Sequence, residues 1–185
     1  MGKKFSISRR AFIGLLPFLS ASSGYIAGTI IFIAVGFSGS DEIFLPDLTS
    51  VFSHSKPLKD FLGIYFNEIK YTLLIFLCAF GKASHATASS VLFVRAVCHG
   101  FSVVYLWGLS PKGEVYLIHA LSSALTLVLS AFVCRRAIDF SIFGDVAYNG
   151  LSDRRKILAY MLEFLYIGGL LLLVIFTRQI LLLLI

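Results

Sequence analysis

The sequence has few charged residues and few of the residue patterns that mark a cross-linked or catalytic soluble domain. Charged side chains make up 14% of the 185 residues, against about 25% in an average soluble domain. Its three cysteines lie in apolar stretches without CxxC spacing, which favours buried thiols over a disulfide or metal framework. No HExxH, GxSxG or Walker A sequence is present. We therefore expect a protein that is not an enzyme and that uses no metal or other cofactor.

Apolar residues dominate what is present. They make up 58% of the chain, and the mean hydropathy is +0.89. A small soluble domain buries only part of its surface and could not hide so much apolar area. The composition predicts an all-α, polytopic helix bundle surrounded by membrane lipid. The basic residues flank apolar segments instead of forming one basic face, which argues against a nucleic-acid partner.

Five apolar segments are long enough to cross a bilayer, which requires about 20 residues each. We predict a single integral membrane domain over residues 1–185, with an outer amphipathic loop at 38–60 and an inner basic loop at 135–156. The predicted spans are about 17–37, 62–80, 89–108, 115–134 and 157–177.

The basic residues predict the orientation of these spans. Ten of the sixteen lysines and arginines would lie on the side of the N-terminus, four on the other side and two within spans. Basic residues are enriched in cytoplasmic loops, so the N-terminus is expected in the cytoplasm and the C-terminus outside the cell membrane. The outer four are Lys56, Lys59, Lys112 and Arg178, and the two within spans are Lys70 and Arg95.

The N-terminal region allows two interpretations. Arg9 and Arg10, followed by an apolar run, resemble a twin-arginine export signal. The run continues to Phe37 without a clear cleavage site, which favours an uncleaved membrane anchor.

Two surfaces are expected to make contacts. Ser20, Gly24 and Gly28 recur every four residues, a spacing of small side chains that allows close helix packing in lipid. In the outer loop, four apolar residues share one face of a helix that would lie at the membrane interface and dock a partner. They are Phe44, Leu48, Val51 and Phe52.

Ionisable side chains inside the spans are the most informative local feature. Arg95 lies near the middle of the third span, where insertion costs at least about 2.5–3.5 kcal/mol. Glu163 lies at a similar depth in the fifth span, which predicts an Arg95–Glu163 ion pair. The alternative is that each side chain extends separately to the interface. His99 follows Arg95 by one helical turn and is expected to be a hydrogen-bonded packing residue, with proton relay or metal binding as the alternatives.

Residues 24–137 resemble the stage II sporulation protein M family. Residues 66–71 (FNEIKY) correspond to its F/N-containing helix start, and residues 73–81 (LLIFLCAFG) to its LLxFLxG motif. Residues 99–103 (HGFSV) correspond to its G-F-x-V-G-like element.

The resemblance implies a membrane scaffold of a spore-forming bacterium. Such a scaffold works with membrane-anchored proteins that remodel peptidoglycan during engulfment. The alternative is a small transporter or channel subunit with a polar path through Arg95, His99 and Glu163. Five spans are few for a complete transporter, so that alternative requires a homo-oligomer or a larger complex.

Overall fold

The computed structural model describes residues 9–35, 57–81, 84–109, 113–142 and 153–184. These residues form five α-helices and no strand, and all five helices are long and apolar enough to span a membrane. The predicted all-helical class is therefore confirmed for the described part of the chain. The helices are α1 (Arg9–Val35), α2 (Pro57–Cys78), α3 (Ser84–Leu109), α4 (Gly113–Ile142) and α5 (Asp153–Leu183).

The helices extend beyond the predicted spans. Helix α1 begins at Arg9, and α2 begins at Pro57, where a proline costs no helical hydrogen bond. Helix α4 continues to Ile142, so the predicted inner loop 135–156 is wrong at both ends, since α5 already begins at Asp153. The reason is packing: Ala137 and Ile138 are completely or almost completely buried in the core and keep α4 helical past its charged Arg135-Arg136 pair.

Contacts between side chains fix the directions of the helices. Phe32 of α1 packs edge-to-face on both Phe101 and Tyr105 of α3. Earlier in α1, Gly24 lies against Phe93 and Gly28 against Val97, so residue numbers rise along both helices in the same direction. Helices α1 and α3 are therefore parallel. Neighbouring helices α2 to α5 are antiparallel, as Ser84 at the start of α3 shows by hydrogen bonding Ser141 near the end of α4. Arg9 and Leu183 consequently lie at opposite ends of the bundle.

Helices α2, α3, α4 and α5 contact each other in a ring, and α1 packs on the outside against α3 and α4. A cluster of aromatic side chains packs between α2, α4 and α5 near the end of α2. Tyr160 of α5 is sandwiched between Phe76 and Phe140, with ring centroids 4.5 and 4.6 Å away. Its hydroxyl donates a 3.0 Å hydrogen bond to the carbonyl oxygen of Phe76. That carbonyl lies in the last turn of α2, where it also accepts a 3.2 Å hydrogen bond from the backbone N–H of Ala79.

Candidate functional site: a buried charge cluster between α2 and α3

Four polar side chains meet inside the bundle, two from each of two antiparallel helices. Glu68 and Thr72 lie one turn apart on α2, and Arg95 and His99 lie one turn apart on α3. The spacing of four residues places each pair on one face of its helix. Glu68, Thr72 and Arg95 are 6%, 0% and 1% exposed, so these groups lie in the core of the bundle. We call these four residues the charge cluster.

Arg95 is the centre of the charge cluster. Its Nη2 donates to Glu68 Oε2 in an ion pair, and its Nη1 donates to Thr72 Oγ1 at 2.8 Å. The guanidinium carbon lies 5.9 Å from the centre of the Tyr71 ring, within range of a cation–π interaction. Nε has no hydrogen-bond partner among the described residues. The guanidinium therefore joins α3 to α2 through two hydrogen bonds, one of them to an opposite charge.

His99 approaches the other oxygen of the same carboxylate. Its Nε2 lies 3.6 Å from Glu68 Oε1, which is longer than a hydrogen bond but close enough for electrostatic interaction. Its side chain keeps 12% exposure, so it is the least buried member of the charge cluster. The structure thus brings Arg95 and His99 to one acidic group, Glu68, which the sequence analysis did not select as a partner of Arg95.

The predicted Arg95–Glu163 ion pair is wrong. Glu163 instead faces Arg136 of α4, with 3.3 Å between Arg136 Nε and Glu163 Oε2, and the two side chains are 36% and 50% exposed. Depth along the helices does not distinguish Glu68 from Glu163 as a partner of Arg95. Glu68 lies ten residues before the end of α2 and Glu163 ten residues after the start of α5, so both match the depth of Arg95. The rotation of α3 about its axis determines the partner, because it directs Arg95 towards α2.

A signal for Glu68 was present in the sequence of α2. Ile64, Glu68, Thr72 and Ile75 recur at intervals of four, four and three residues and are all buried. This is one face of a helix, and two of its four members are polar. A carboxylate on a face that otherwise carries isoleucine is an expected partner for an intramembrane arginine.

Two more ionisable groups lie near the charge cluster. Arg178 of α5 is close enough to Glu68 and to His119 of α4 for their charges to interact. Arg178 is only 7% exposed. His119 is 5% exposed, and neither ring nitrogen has a hydrogen-bond partner in the described part of the chain. Those described residues contain no group of three or more side chains arranged to hold a metal.

The small residues of α1 lie at its contact with α3. A Cβ atom added to Gly24 would come 2.5 Å from the Phe93 carbonyl oxygen, and one on Gly28 would come 2.1 Å from that of Val97. Gly100 of α3 meets the Tyr25 carbonyl oxygen in the same way, at 2.1 Å. Only glycine allows backbones to approach this closely. Ser20, the third residue of the predicted set, is half-buried.

The expected docking face of the outer loop, Phe44, Leu48, Val51 and Phe52, lies outside the described residues. Comparison of the chain with protein-family models, with curated proteins and with solved structures found no match.

Proposed function

We propose that the chain is a five-span protein of the cell membrane that acts as a non-catalytic scaffold for other membrane-anchored proteins. Membrane insertion is supported by the outer surface of the bundle, where large apolar side chains are exposed on every helix. Burying such area is worth about 25 cal/mol per Å², and a bilayer provides that burial. Examples are Ile33 at 69%, Phe66 at 63%, Trp107 at 68%, Leu117 at 65% and Leu165 at 64%.

The distribution of charge supports a cytoplasmic N-terminus. The end of the bundle where α1 begins also holds the basic residues that close α4 and open α5, including Arg135, Arg136, Arg154 and Arg155. At the opposite end, the described basic residues are Lys59 and the buried Arg178. The positive-inside rule then places the start of α1 in the cytoplasm and the end of α5 outside.

The observation that supports the scaffold function is that the buried charges of Arg95 and Glu68 pair with each other. Arg95 binds Glu68 and Thr72, and the cluster joins two helices. The close contact of α1 with α3 adds a second fixed interface. A bundle held in this way suits a protein that presents fixed outer surfaces to partners. The resemblance to stage II sporulation protein M suggests their kind: proteins that remodel peptidoglycan during engulfment.

Co-purification tests the scaffold function. The tagged chain would be extracted in mild detergent from cells that produce it, and accompanying proteins would be identified by mass spectrometry. We expect membrane-anchored peptidoglycan-remodelling proteins. A Gly28→Leu variant, which displaces α1 from α3, should lose them, whereas Gly169→Leu, at a lipid-facing glycine with open space around it, is the matched control. Recovery of the chain alone, or of partners that both variants retain equally, would contradict this role.

A second candidate is a transport subunit with a polar path, and the position of His119 favours it. His119, His99 and Glu68 come from three different helices. His99 Nε2 lies 3.6 Å from Glu68 Oε1, and His119 is buried with neither ring nitrogen hydrogen-bonded among the described residues. A water-filled path past His119 would expose Ser123, one turn further along α4 and 2% exposed.

Thiol labelling separates the two functions. In a variant without the native cysteines, Ser123→Cys would be treated with a membrane-impermeant thiol reagent. Labelling would favour transport, and protection would favour the packed scaffold. Glu114→Cys, exposed at the start of α4 on the outer side of the bundle, is the accessible control.

A further inference from the structure

Helices α1 and α4 meet at the end of the bundle that is proposed to face the cytoplasm. Arg135 lies two turns before the end of α4 and reaches Gly14 of α1, where an added Cβ atom would lie 3.8 Å from Arg135 Nη2. Arg10 lies one turn before Gly14 on the same face of α1. We call this meeting of Arg10, Gly14 and Arg135 the α1–α4 junction.

The guanidinium of Arg135 is accessible at the junction. Its side chain is 51% exposed, and its ion pair with Asp139 joins Nε to Oδ2 at 3.9 Å. That distance is too long for a hydrogen bond, so the N–H donors of Arg135 remain available to a ligand. Arg95, in contrast, uses its Nη atoms to bind Glu68 and Thr72 inside the bundle.

Positive charge exceeds negative charge at the junction. Arg10 and Arg135 supply two positive charges, and Asp139, one turn after Arg135 on the same face of α4, supplies one negative charge. The neighbouring Arg136 faces α5 instead, where it lies 3.3 Å from Glu163. The remaining positive charge favours an anionic ligand between α1 and α4.

The junction lies where the apolar surface of the bundle ends. The apolar span of α1 begins at Phe12, so Gly14 is about 3 Å inside it. Towards the middle of the bundle, Phe18 of α1 packs edge-to-face on Phe132 of α4, and Phe132 is 46% exposed. In a bilayer this order places an accessible cation at the level of the lipid head groups and an apolar surface beside the acyl chains. An arginine side chain is long enough to extend into the head-group region.

We propose that the α1–α4 junction binds the head group of one anionic phospholipid, with its phosphate on Arg135 and an acyl chain over Phe132. A guanidinium binds phosphate oxygens with two parallel hydrogen bonds. Gly14 leaves room for that contact, and Arg10 adds a second positive charge. The proposal rests on the membrane placement proposed above and not on the scaffold function, so its failure leaves the co-purification result unaffected.

Native mass spectrometry of the purified full chain tests the site. The protein would be loaded with phosphatidylglycerol or with phosphatidylcholine of identical acyl chains. We expect about tenfold higher retention of phosphatidylglycerol, the effect of one or two charge-assisted hydrogen bonds. Arg135→Gln should reduce that preference to less than twofold, and Arg135→Lys should keep part of it. Arg154→Gln, which removes an exposed charge at the same end of the bundle, is the matched control and should leave the preference unchanged.

Two further variants leave Arg135 in place. Asp139→Asn should raise the preference for phosphatidylglycerol, because it removes the carboxylate that competes for Arg135. A loss of folding would not produce that gain. Glu163→Gln, which removes one carboxylate beside Arg136, is its matched control and should leave the preference unchanged. Gly14→Leu should lower the preference without a change of charge, because the added side chain fills the space beside the guanidinium.

Three results would overturn the proposal. Equal retention of both lipids by the unmodified chain would exclude the site. Equal effects of each variant and its matched control would show that only the net charge of the protein matters. Full competition by inorganic phosphate at the lipid concentration would identify a free-anion site instead of a lipid site. Circular dichroism and gel filtration would verify that each variant is folded.

Discussion

The buried ion pair between Arg95 and Glu68 gives the sharpest prediction. Replacing either side chain alone, in Arg95→Met or Glu68→Leu, leaves the other charge in the core without its partner. Removing one member of a buried pair typically costs about 3–5 kcal/mol. We expect each single variant to lose about that much unfolding free energy, because Arg95 and Glu68 are 1% and 6% exposed and water cannot solvate the remaining charge.

The double variant should recover most of this loss. With both charges removed, no uncompensated charge remains, and replacing a buried pair by apolar residues is often neutral or stabilising. The remaining loss is that of the hydrogen bond from Arg95 to Thr72, which is worth about 1 kcal/mol. The double variant should therefore lie within about 1–2 kcal/mol of the unmodified protein, and the coupling energy between the two sites should exceed about 3 kcal/mol.

Unfolding titrations with SDS in mixed micelles would measure these free energies for all four proteins. Arg136 and Glu163 supply the matched control, since these side chains are 50% and 36% exposed and each single change there should cost about 0–1 kcal/mol. Additive losses from Arg95→Met and Glu68→Leu would refute the reasoning. So would a large coupling energy between Arg95 and Glu163, which would restore the pair that the sequence first suggested.

Two further predictions concern packing. Gly28→Ala places a Cβ atom 2.1 Å from the Val97 carbonyl oxygen, so it should separate α1 from α3 and lower the SDS concentration at the unfolding midpoint. Gly169→Ala is the control, because Gly169 has open space around it. That variant should be neutral or raise stability by up to about 1 kcal/mol. A lower midpoint for Gly169→Ala than for Gly28→Ala would contradict the contact. Tyr160→Phe removes the hydrogen bond to the Phe76 carbonyl and should cost about 1 kcal/mol in the same titration, with the ring stacking kept. An unchanged midpoint would show that this hydrogen bond does not stabilise the fold.

The number and approximate positions of the helices could be predicted from the sequence because they depend on local properties. A run of about 20 apolar residues has few alternatives to a helix in lipid, and each of the five predicted spans overlaps one helix of the structure. The ends were less predictable. Helix α4 passes through Arg135 and Arg136 because the next turn is buried against the core, and that burial depends on residues distant in sequence.

The partner of Arg95 shows where local reasoning stops. Hydropathy identified Arg95 as a costly residue that needs a partner, and the depth argument then selected Glu163. Glu68 of the antiparallel helix α2 lies at the same depth, so depth alone could not identify the partner. The choice depends on which face each helix turns towards its neighbour, and that is a property of the packed bundle.

The sequence by itself determined that this chain forms long apolar helices and that it must neutralise an arginine among them, because both follow from the cost of polar groups in an apolar medium. The tertiary structure alone decided that Glu68 neutralises Arg95 and that Arg135 of α4 lies beside Gly14 of α1. It decided these points because helix rotation and ring order are set by packing over the whole bundle. A periodic apolar sequence leaves both of them open.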